Sequence, residues 1–476
     1  MATTIVSGVQ YSGIWNISSQ ANAKGANTWP AVPGAPTIGT ATVVGTNASV
    51  AFTAPANLGN PATITGYTVT SSPGGLTGTG TSSPITVTGF TQGQAYTFTV
   101  TATNASGTSP ASAASNSITP NPDSYLYTWG NGLMGALGLG NTTYYSSPKQ
   151  VGALITWSKV AGGKYSSVAT KTDGTLWTWG RNNNGQLGLG NSGTDYSSPK
   201  QVGALTTWLN IASGNYYTIA TKTDGTLWTW GYNNYGQLGL NNTTSYSSPK
   251  QVGSLTTWSK VACASIAFTV ATKTDGTIWS WGSNTNGSLG LGNLTDYSSP
   301  KQIGALTNWL NVSAGYNTVI ATKTDGTLWT WGRGNSGQLG LGNTTGYSSP
   351  KQVGALTNWL NIAGSGSGYS NMATTTSGTL YSWGDNGYGQ LGLGDTANRS
   401  SPTQVGSLTT WSKIALRSNG ALATKTDGTL WVWGRNNNGQ LGLGNTTNYS
   451  SPKQVGSSTT WLSVAAGFFH SITTKS

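Results

Sequence analysis

The sequence predicts an all-β chain: a small β-sandwich, then a seven-bladed β-propeller closed by a shared blade in which N-terminal and C-terminal strands join one sheet. Three observations predict this. Trp-Gly pairs recur seven times, at Trp129, Trp179, Trp230, Trp281, Trp331, Trp383 and Trp433, spaced 50, 51, 51, 50, 52 and 50 residues apart, a period that belongs to stacked helix pairs or propeller blades. Within each period the runs are short, β-branched or aromatic, as in Thr175 to Gly180 (TLWTWG), Lys200 to Gly203 (KQVG), Trp208 to Ala212 (WLNIA) and Tyr216 to Thr223 (YYTIATKT). Four strands per unit select the propeller. Charged residues make up only 7% of the chain, all ten acidic residues are Asp, and Thr, Ser, Asn and Gly take the polar positions, a composition that suits strands and turns rather than helices.

Residues 1–30 place Ile14, Trp15, Ile17 and Trp29 among small polar residues. So short a segment cannot bury these side chains alone, and at about 25 cal/mol per Å² of apolar surface an exposed Trp favours docking. The segment is expected to anchor the chain to a partner, with packing against the neighbouring sandwich as the alternative. The stretch YSGIWNISSQANAKGANTWP (11–30) resembles the leading segment of structural proteins of tailed bacteriophages. That resemblance implies other virion proteins as the partner and an oligomer within the particle.

Residues 31–120 open and close near prolines (Pro33 and Pro36; Pro120 and Pro122). They contain ASVAFTAP (48–55), ITGYTVTSSPGG (64–75), SPITVTGF (83–90) and QAYTFTVTATNASGTSPAS (94–112), runs spaced as in a small sandwich. These runs resemble a fibronectin type III domain. Tyr96, the alternating Phe98 and Val100, and then Ala102, Asn104 and Gly107 are similar to that family's penultimate strand with its corner tyrosine. Phe52 stands where the family usually places a core Trp, and no Arg-Gly-Asp is present.

The third region is 123–476. TLWTWGRNNNGQLGLGN (175–191) and its copies carry seven Gly-x-Leu-Gly-Leu elements, at Gly135, Gly185, Gly236, Gly287, Gly337, Gly389 and Gly439. They resemble the repeats of the regulator of chromosome condensation family, which implies a seven-bladed propeller. The chain enters the ring in mid-unit. Tyr125 to Trp129 is equivalent to a third strand, and Trp461 to Ala466 with Phe469 to Thr474 to a first and second. Residues 459–476 and 125–155 are therefore expected to share one blade, which removes two exposed sheet edges. Nineteen of the 21 Trp lie here at repeated positions and read as framework. A plant ultraviolet photoreceptor of this fold uses clustered Trp, but its Gly-Trp-Arg-His-Thr motifs do not occur here.

The net charge of +12 raises the question of nucleic acid. Most lysines are periodic: Lys149, Lys200, Lys250, Lys301, Lys351 and Lys453 follow a Pro, and Lys171, Lys222, Lys273, Lys323 and Lys425 precede Thr-Asp-Gly. They are expected at solvated blade edges rather than in a phosphate-binding patch, so no specific nucleic acid is expected. Five of the ten Asp lie in Lys-Thr-Asp-Gly turns, where Asp-Gly suits a tight hairpin. One His and one Cys, His470 and Cys263, exclude a His-rich metal centre and oppose a Cys/His nucleophile. Cys263 is expected to be a small buried residue at a strand end. The Gly-rich loops lack the Gly-Lys-Ser/Thr of a phosphate cradle. No enzyme activity, metal or cofactor is expected. The start lacks a basic and apolar leader and no apolar run reaches 18 residues, so neither an export signal nor membrane insertion is expected. Nucleotide exchange and nucleosome binding, known in eukaryotic family members, depend on insertions and tails that these near-equal repeats do not show.

The seven units differ from one another in a pattern. Lys-Thr-Asp-Gly and the linker Val-Gly-Ala-Leu-Thr-Thr-Trp barely change, whereas the first-to-second loop (GGKYSS, SGNYYT, CASIAF, AGYNT, GSGSGYSN, LRSNG, AGFFHS) and the loop after Trp-Gly vary. Antiparallel strands put both variable loops on one rim, where a propeller presents a ligand surface. The candidate ligand residues are Tyr165, Tyr216, Tyr217, Phe268, Tyr316, Tyr369, Phe468 and Phe469, with Arg417 and His470; Arg181, Arg333 and Arg435 lie nearby. Aromatic rings beside amides suit carbohydrate or protein recognition, while drift between recent copies would give the same variation. The expected function is a non-enzymatic virion protein of a tailed bacteriophage, a fibre, spike or capsid decoration, anchored by its N-terminus and displaying the propeller to a host-surface carbohydrate or protein. The alternative is a secreted or surface bacterial binding module, such as a propeller-type inhibitor or adhesin.

Overall fold

A computed structural model describes residues 29–476 apart from 45–46, 92–93, 120–123, 266 and 367. The chain divides into two compact units, Met1–Asp123 and Ser124–Ser476.

In the first unit, strands β1 (Thr37–Val44), β2 (Asn47–Thr53), β3 (Gly66–Ser72), β4 (Thr77–Gly80), β5 (Ile85–Val87), β6 (Thr97–Asn104) and β7 (Gly107–Thr108) form two sheets, ordered β1-β2-β5 and β4-β3-β6-β7. Strict alternation in β2, β3 and β6 brings Val50, Phe52, Val69, Phe98 and Val100 into one core, as a sandwich requires. The Tyr96 hydroxyl accepts the Thr91 N–H at 2.9 Å, which is the corner arrangement. Phe52 takes the core place against Tyr67, with ring centroids 4.7 Å apart. Strand β1 lies outside the four runs read from sequence. Its register shifts between Ile38 and Ala41, beside Gly39, where a Cβ would lie 2.9 Å from the Ala51 carbonyl oxygen. Such a bulge interrupts the period-two signal.

Residues 124–476 build seven four-stranded antiparallel sheets. One blade runs Trp157–Gly162, Ser166–Lys171, Leu176–Gly180, Tyr196–Gln201, from inner to outer, and the inner strands of neighbouring blades touch all round the ring. The second strand is buried along its whole length because sheets flank it on both faces. The outer strand begins at Tyr196, ahead of the Lys-Gln-Val-Gly run, since Pro199 sits on a sheet edge, where the missing N–H breaks no ladder. The closing blade has the order Trp461–Ala466, His470–Lys475, Tyr125–Gly130, Tyr145–Gln150, with His470 paired to Gly130 and Lys475 to Tyr125. The shared blade is as expected.

The Trp of each Trp-Gly pair latches one blade to the previous one. All seven are fully buried, and their indole N–H groups donate at 2.9–3.0 Å: Trp179 to the Ala136 carbonyl, Trp230 to Gln186, Trp281 to Gln237, Trp331 to Ser288, Trp383 to Gln338, Trp433 to Gln390 and, across the closure, Trp129 to Gln440. The motif glycine makes the approach possible. Gly188 has φ of +72°, and a Cβ there would lie 2.7 Å from Trp230 Nε1.

Candidate functional site

Because successive strands reverse direction, the first-to-second and third-to-fourth loops emerge at the same end of each blade. Their side chains meet across blade boundaries. The Lys164 ammonium donates to the Tyr216 hydroxyl at 3.2 Å and lies 5.6–5.8 Å from the ring centroids of Tyr165, Tyr216 and Phe468. Phe469 packs on Tyr165 at 5.4 Å and on Phe468 at 4.2 Å. Arg181 covers Tyr216 from 5.7 Å, and Tyr216 meets Tyr232 at 6.2 Å. These contacts join three consecutive blades into one aromatic and cationic cluster. A second cluster pairs Tyr316 with Tyr369 at 5.3 Å, and Arg333 donates to the Tyr369 hydroxyl at 3.0 Å. Tyr165, Tyr216, Tyr316, Tyr369, Phe468 and Phe469 are all half-buried on this face.

Four of the expected ligand residues are not on that face. Tyr217, Phe268 and His470 each begin a second strand, a position that points between blades, and all three are buried. The Tyr217 hydroxyl donates to the Phe268 carbonyl at 2.5 Å. Gly420 holds the equivalent position in the sixth blade, and Arg417 fills the space: a Cβ at Gly420 would lie 2.6 Å from Arg417 Nε. Arg417 is 2% exposed. Its Nη1 donates to the Gln440 carbonyl (2.7 Å) and the Ser471 hydroxyl (2.6 Å), and burial lowers its pKa to about 9. His470 Nε2 shares a hydrogen bond with Ser167 Oγ at 2.8 Å. Burial first, and then the Arg417 charge, bring its imidazole down to about 4, so it is neutral at pH 7. These four residues belong to the framework.

Of the expected anchoring residues, Ile14, Trp15 and Ile17 lie outside the described residues. Trp29 is 41% exposed, and its carbonyl accepts from the Asn60 amide at 3.0 Å.

The turn aspartates are occupied locally. Asp173 accepts the Thr175 N–H and hydroxyl at 2.9 and 2.7 Å, and the matching threonine bonds hold Asp224, Asp275, Asp325 and Asp427 below the usual carboxylate range. Among the described residues no three His, Cys, Asp or Glu side chains converge as a metal site requires. Cys263 ends an inner strand as a half-buried residue, and desolvation of its thiol by burial pushes the pKa up to about 12. The lysines divide into two classes. Lys149 and its equivalents after Pro stand exposed at blade edges as expected, whereas Lys171 is nearly buried, its ammonium 3.7 Å from the Trp177 ring centroid. Lys222, Lys273, Lys323 and Lys425 repeat that contact. Desolvation over the indole, not a solvated edge, is the setting of this series.

The seven inner strands enclose a channel. Near the end that carries the Thr-Asp-Gly turns, it is lined by Lys159, Lys260 and Lys413 with Asn210, Asn311, Asn361 and Ser463. None of these was singled out from the sequence. The available signal was small: two residues after the inner Trp, three units carry Lys, three Asn and one Ser.

Seven segments, residues 123–170, 173–221, 224–268, 275–322, 325–370, 377–420 and 427–473, match the Regulator of chromosome condensation (RCC1) repeat, and residues 34–118 match the Fibronectin type III domain. The Ultraviolet-B receptor UVR8 of Arabidopsis thaliana is 31% identical over 302 residues, covering 62% of this chain and 69% of the receptor. The E3 ubiquitin-protein ligase HERC2 of Homo sapiens is 31% identical over 298 residues, covering 60% of this chain and 6% of the ligase; the chain thus spans a small part of that relative. Among solved structures, yeast RCC1 (Prp20) bound to Kap60 has a TM-score of 0.67 at 19% identity, covering 74% of this chain and 89% of that one. Human WBSCR16 has a TM-score of 0.65 at 22% identity, covering 74% and 98%. At such identities the likeness is one of fold.

Proposed function

The chain belongs to the regulator of chromosome condensation repeat family, and we propose that it is a non-enzymatic binding module, carried on a tailed-bacteriophage particle. Residues 1–30 anchor it among other virion proteins, and the variable loop face of the propeller binds a host-surface carbohydrate or protein. The observation that carries the binding role is the cluster around Lys164. It spans three blades, it is built from loops that differ between otherwise matching units, and it combines ring area with directional donors, the pairing that recognition surfaces use. The particle assignment rests on the resemblance of residues 11–30 to leading segments of phage structural proteins.

The test replaces Tyr165, Tyr216 and Phe468 together by Ala and measures binding of the full chain to host cells and to a glycan array. A loss of at least about tenfold, roughly 1.4 kcal/mol or more, is expected with the melting profile of the propeller retained. Unchanged binding would reject this face. Detection of the chain in purified virions checks the anchoring role separately, and its absence there would remove the particle assignment while leaving the binding face standing.

A further inference from the structure

The inner strands differ from one another two residues after the Trp, where three blades carry Lys, three Asn and one Ser. In the structural solution used by two blades, an Asn stitches its inner strand to the next one. The Asn210 amide donates to the Ser259 carbonyl at 2.9 Å and to Thr221 Oγ1 at 3.2 Å, and Asn361 does the same with Ser412 (2.9 Å) and Thr374 (3.1 Å). Lys159, Lys260 and Lys413 take the same place in three other blades, and all three are exposed at the mouth. In place of an amide, Lys159 reaches the next inner strand with its ammonium, which donates to the Asn210 side-chain oxygen at 2.8 Å and leaves a positive charge at the mouth. The change goes with the residue before it, Ser ahead of each Lys and Leu ahead of each Asn, so the Lys blades carry a distinct Ser-Lys pair at this mouth.

The three ammonium groups have no carboxylate partner. Among the described residues the one ion pair is Arg399 with Asp395. No carboxylate lines the two adjoining cavities of about 300 and 290 Å³ at this mouth. Lys159 is held in place by the Asn210 side-chain oxygen, 2.8 Å from its ammonium. Desolvation against the channel walls and then the charge of Lys260 lower its pKa. Lys159 and Lys260 line one of these cavities and Lys413 the adjoining one, so like charges gather at one mouth without a carboxylate, an arrangement that a bound anion stabilises. The space exceeds a single small ion, because a water molecule takes about 30 Å³. No aromatic side chain lines either cavity, so a nucleobase has nothing to stack on.

We propose that the turn-side mouth of the channel is a binding site for a multivalent oxyanion of the phosphate class, held by Lys159, Lys260 and Lys413. It lies at the opposite end of the ring from the aromatic face and does not rest on that face binding anything. Such an anion reaches the site either as a free condensed phosphate or as phosphate groups along a surface polymer.

The experiment titrates the full chain with tripolyphosphate and, in a second arm, with poly(glycerol phosphate), at constant ionic strength in a calorimeter. The decisive variant carries Lys159→Asn, Lys260→Asn and Lys413→Asn, substitutions that place at each site the residue other blades already use there, so the fold is retained. The control carries Lys149→Gln, Lys250→Gln and Lys351→Gln, which removes equal charge from outer strands. Saturable binding in either arm is expected at one site per chain, weakened at least about tenfold by the inner triple variant and less than about twofold by the outer one. The arm that binds identifies the source. No saturable binding in either arm, or equal weakening by both variants, overturns the proposal.

Discussion

His470 is the one histidine of the chain, and the fold buries it beside a fixed positive charge. Its pKa falls to about 4 in the folded state, through burial and then Arg417, against about 6.5 unfolded. Below the unfolded value the unfolded chain binds the proton and the folded chain does not, so stability is lost as pH falls from about 6.5 to about 4 and the loss then levels off. Over that window the term is of the order of 3 kcal/mol. The turn carboxylates have lowered pKa values and their contribution is lost only at more acidic pH. Denaturant melts at pH 7 and pH 4.5 should therefore differ for the native chain and converge for His470→Phe, which installs the residue that Phe268 supplies at the same strand position; an equal pH effect in the variant would show that another group is responsible. The sequence made His470 and Arg417 look like ligand residues because both fall in the variable loops. What decides their place is not local: His470 faces the neighbouring blade as the first residue of a strand, and Arg417 turns inward because Gly420 leaves room. Neither fact is legible without the fold.

At the scale of elements, the partial units at the two ends of the repeat array complement each other, and that made the shared blade legible before any strand was seen. The Trp-Gly period located the blades for the same reason, since one Trp per unit makes one latch per boundary. The latch itself was hidden, because its acceptor lies 43–45 residues earlier in the chain, on the preceding blade; across the closure Trp129 reaches Gln440, 311 residues later. Deleting residues 459–476 removes the inner and second strands of the closing blade. Trp129 then loses Trp461 from its core, and the strand Tyr125–Gly130 loses the partner that covers its edge. An uncovered hydrophobic edge is a template for self-pairing. The truncated chain should aggregate, seen as light scattering at concentrations where the full chain is clear, and should lose its cooperative melt. A monodisperse, cooperatively folding truncation would mean that the ring does not depend on this closure.

At the scale of the whole molecule, each unit closes its own core. The sandwich core contains residues from Ala41 to Ile118 and none from the ring, while the ring cores contain only residues from Leu126 onward. Cooperativity follows shared burial, so two cores predict two transitions. Phe98 is fully buried at the centre of the first core, in contact with Phe90 at 5.8 Å between ring centroids. Phe98→Ala should destabilise the sandwich by about 3–5 kcal/mol, the usual range for a buried aromatic replaced by Ala. In a calorimetric scan the sandwich transition should move down or vanish while the propeller transition stays in place. A single transition that shifts as a whole would show that the units unfold together. The same variant serves as a control for both binding proposals, because the aromatic face and the lysine mouth are built entirely from blade residues, and affinity at either should be unchanged when only the sandwich is weakened.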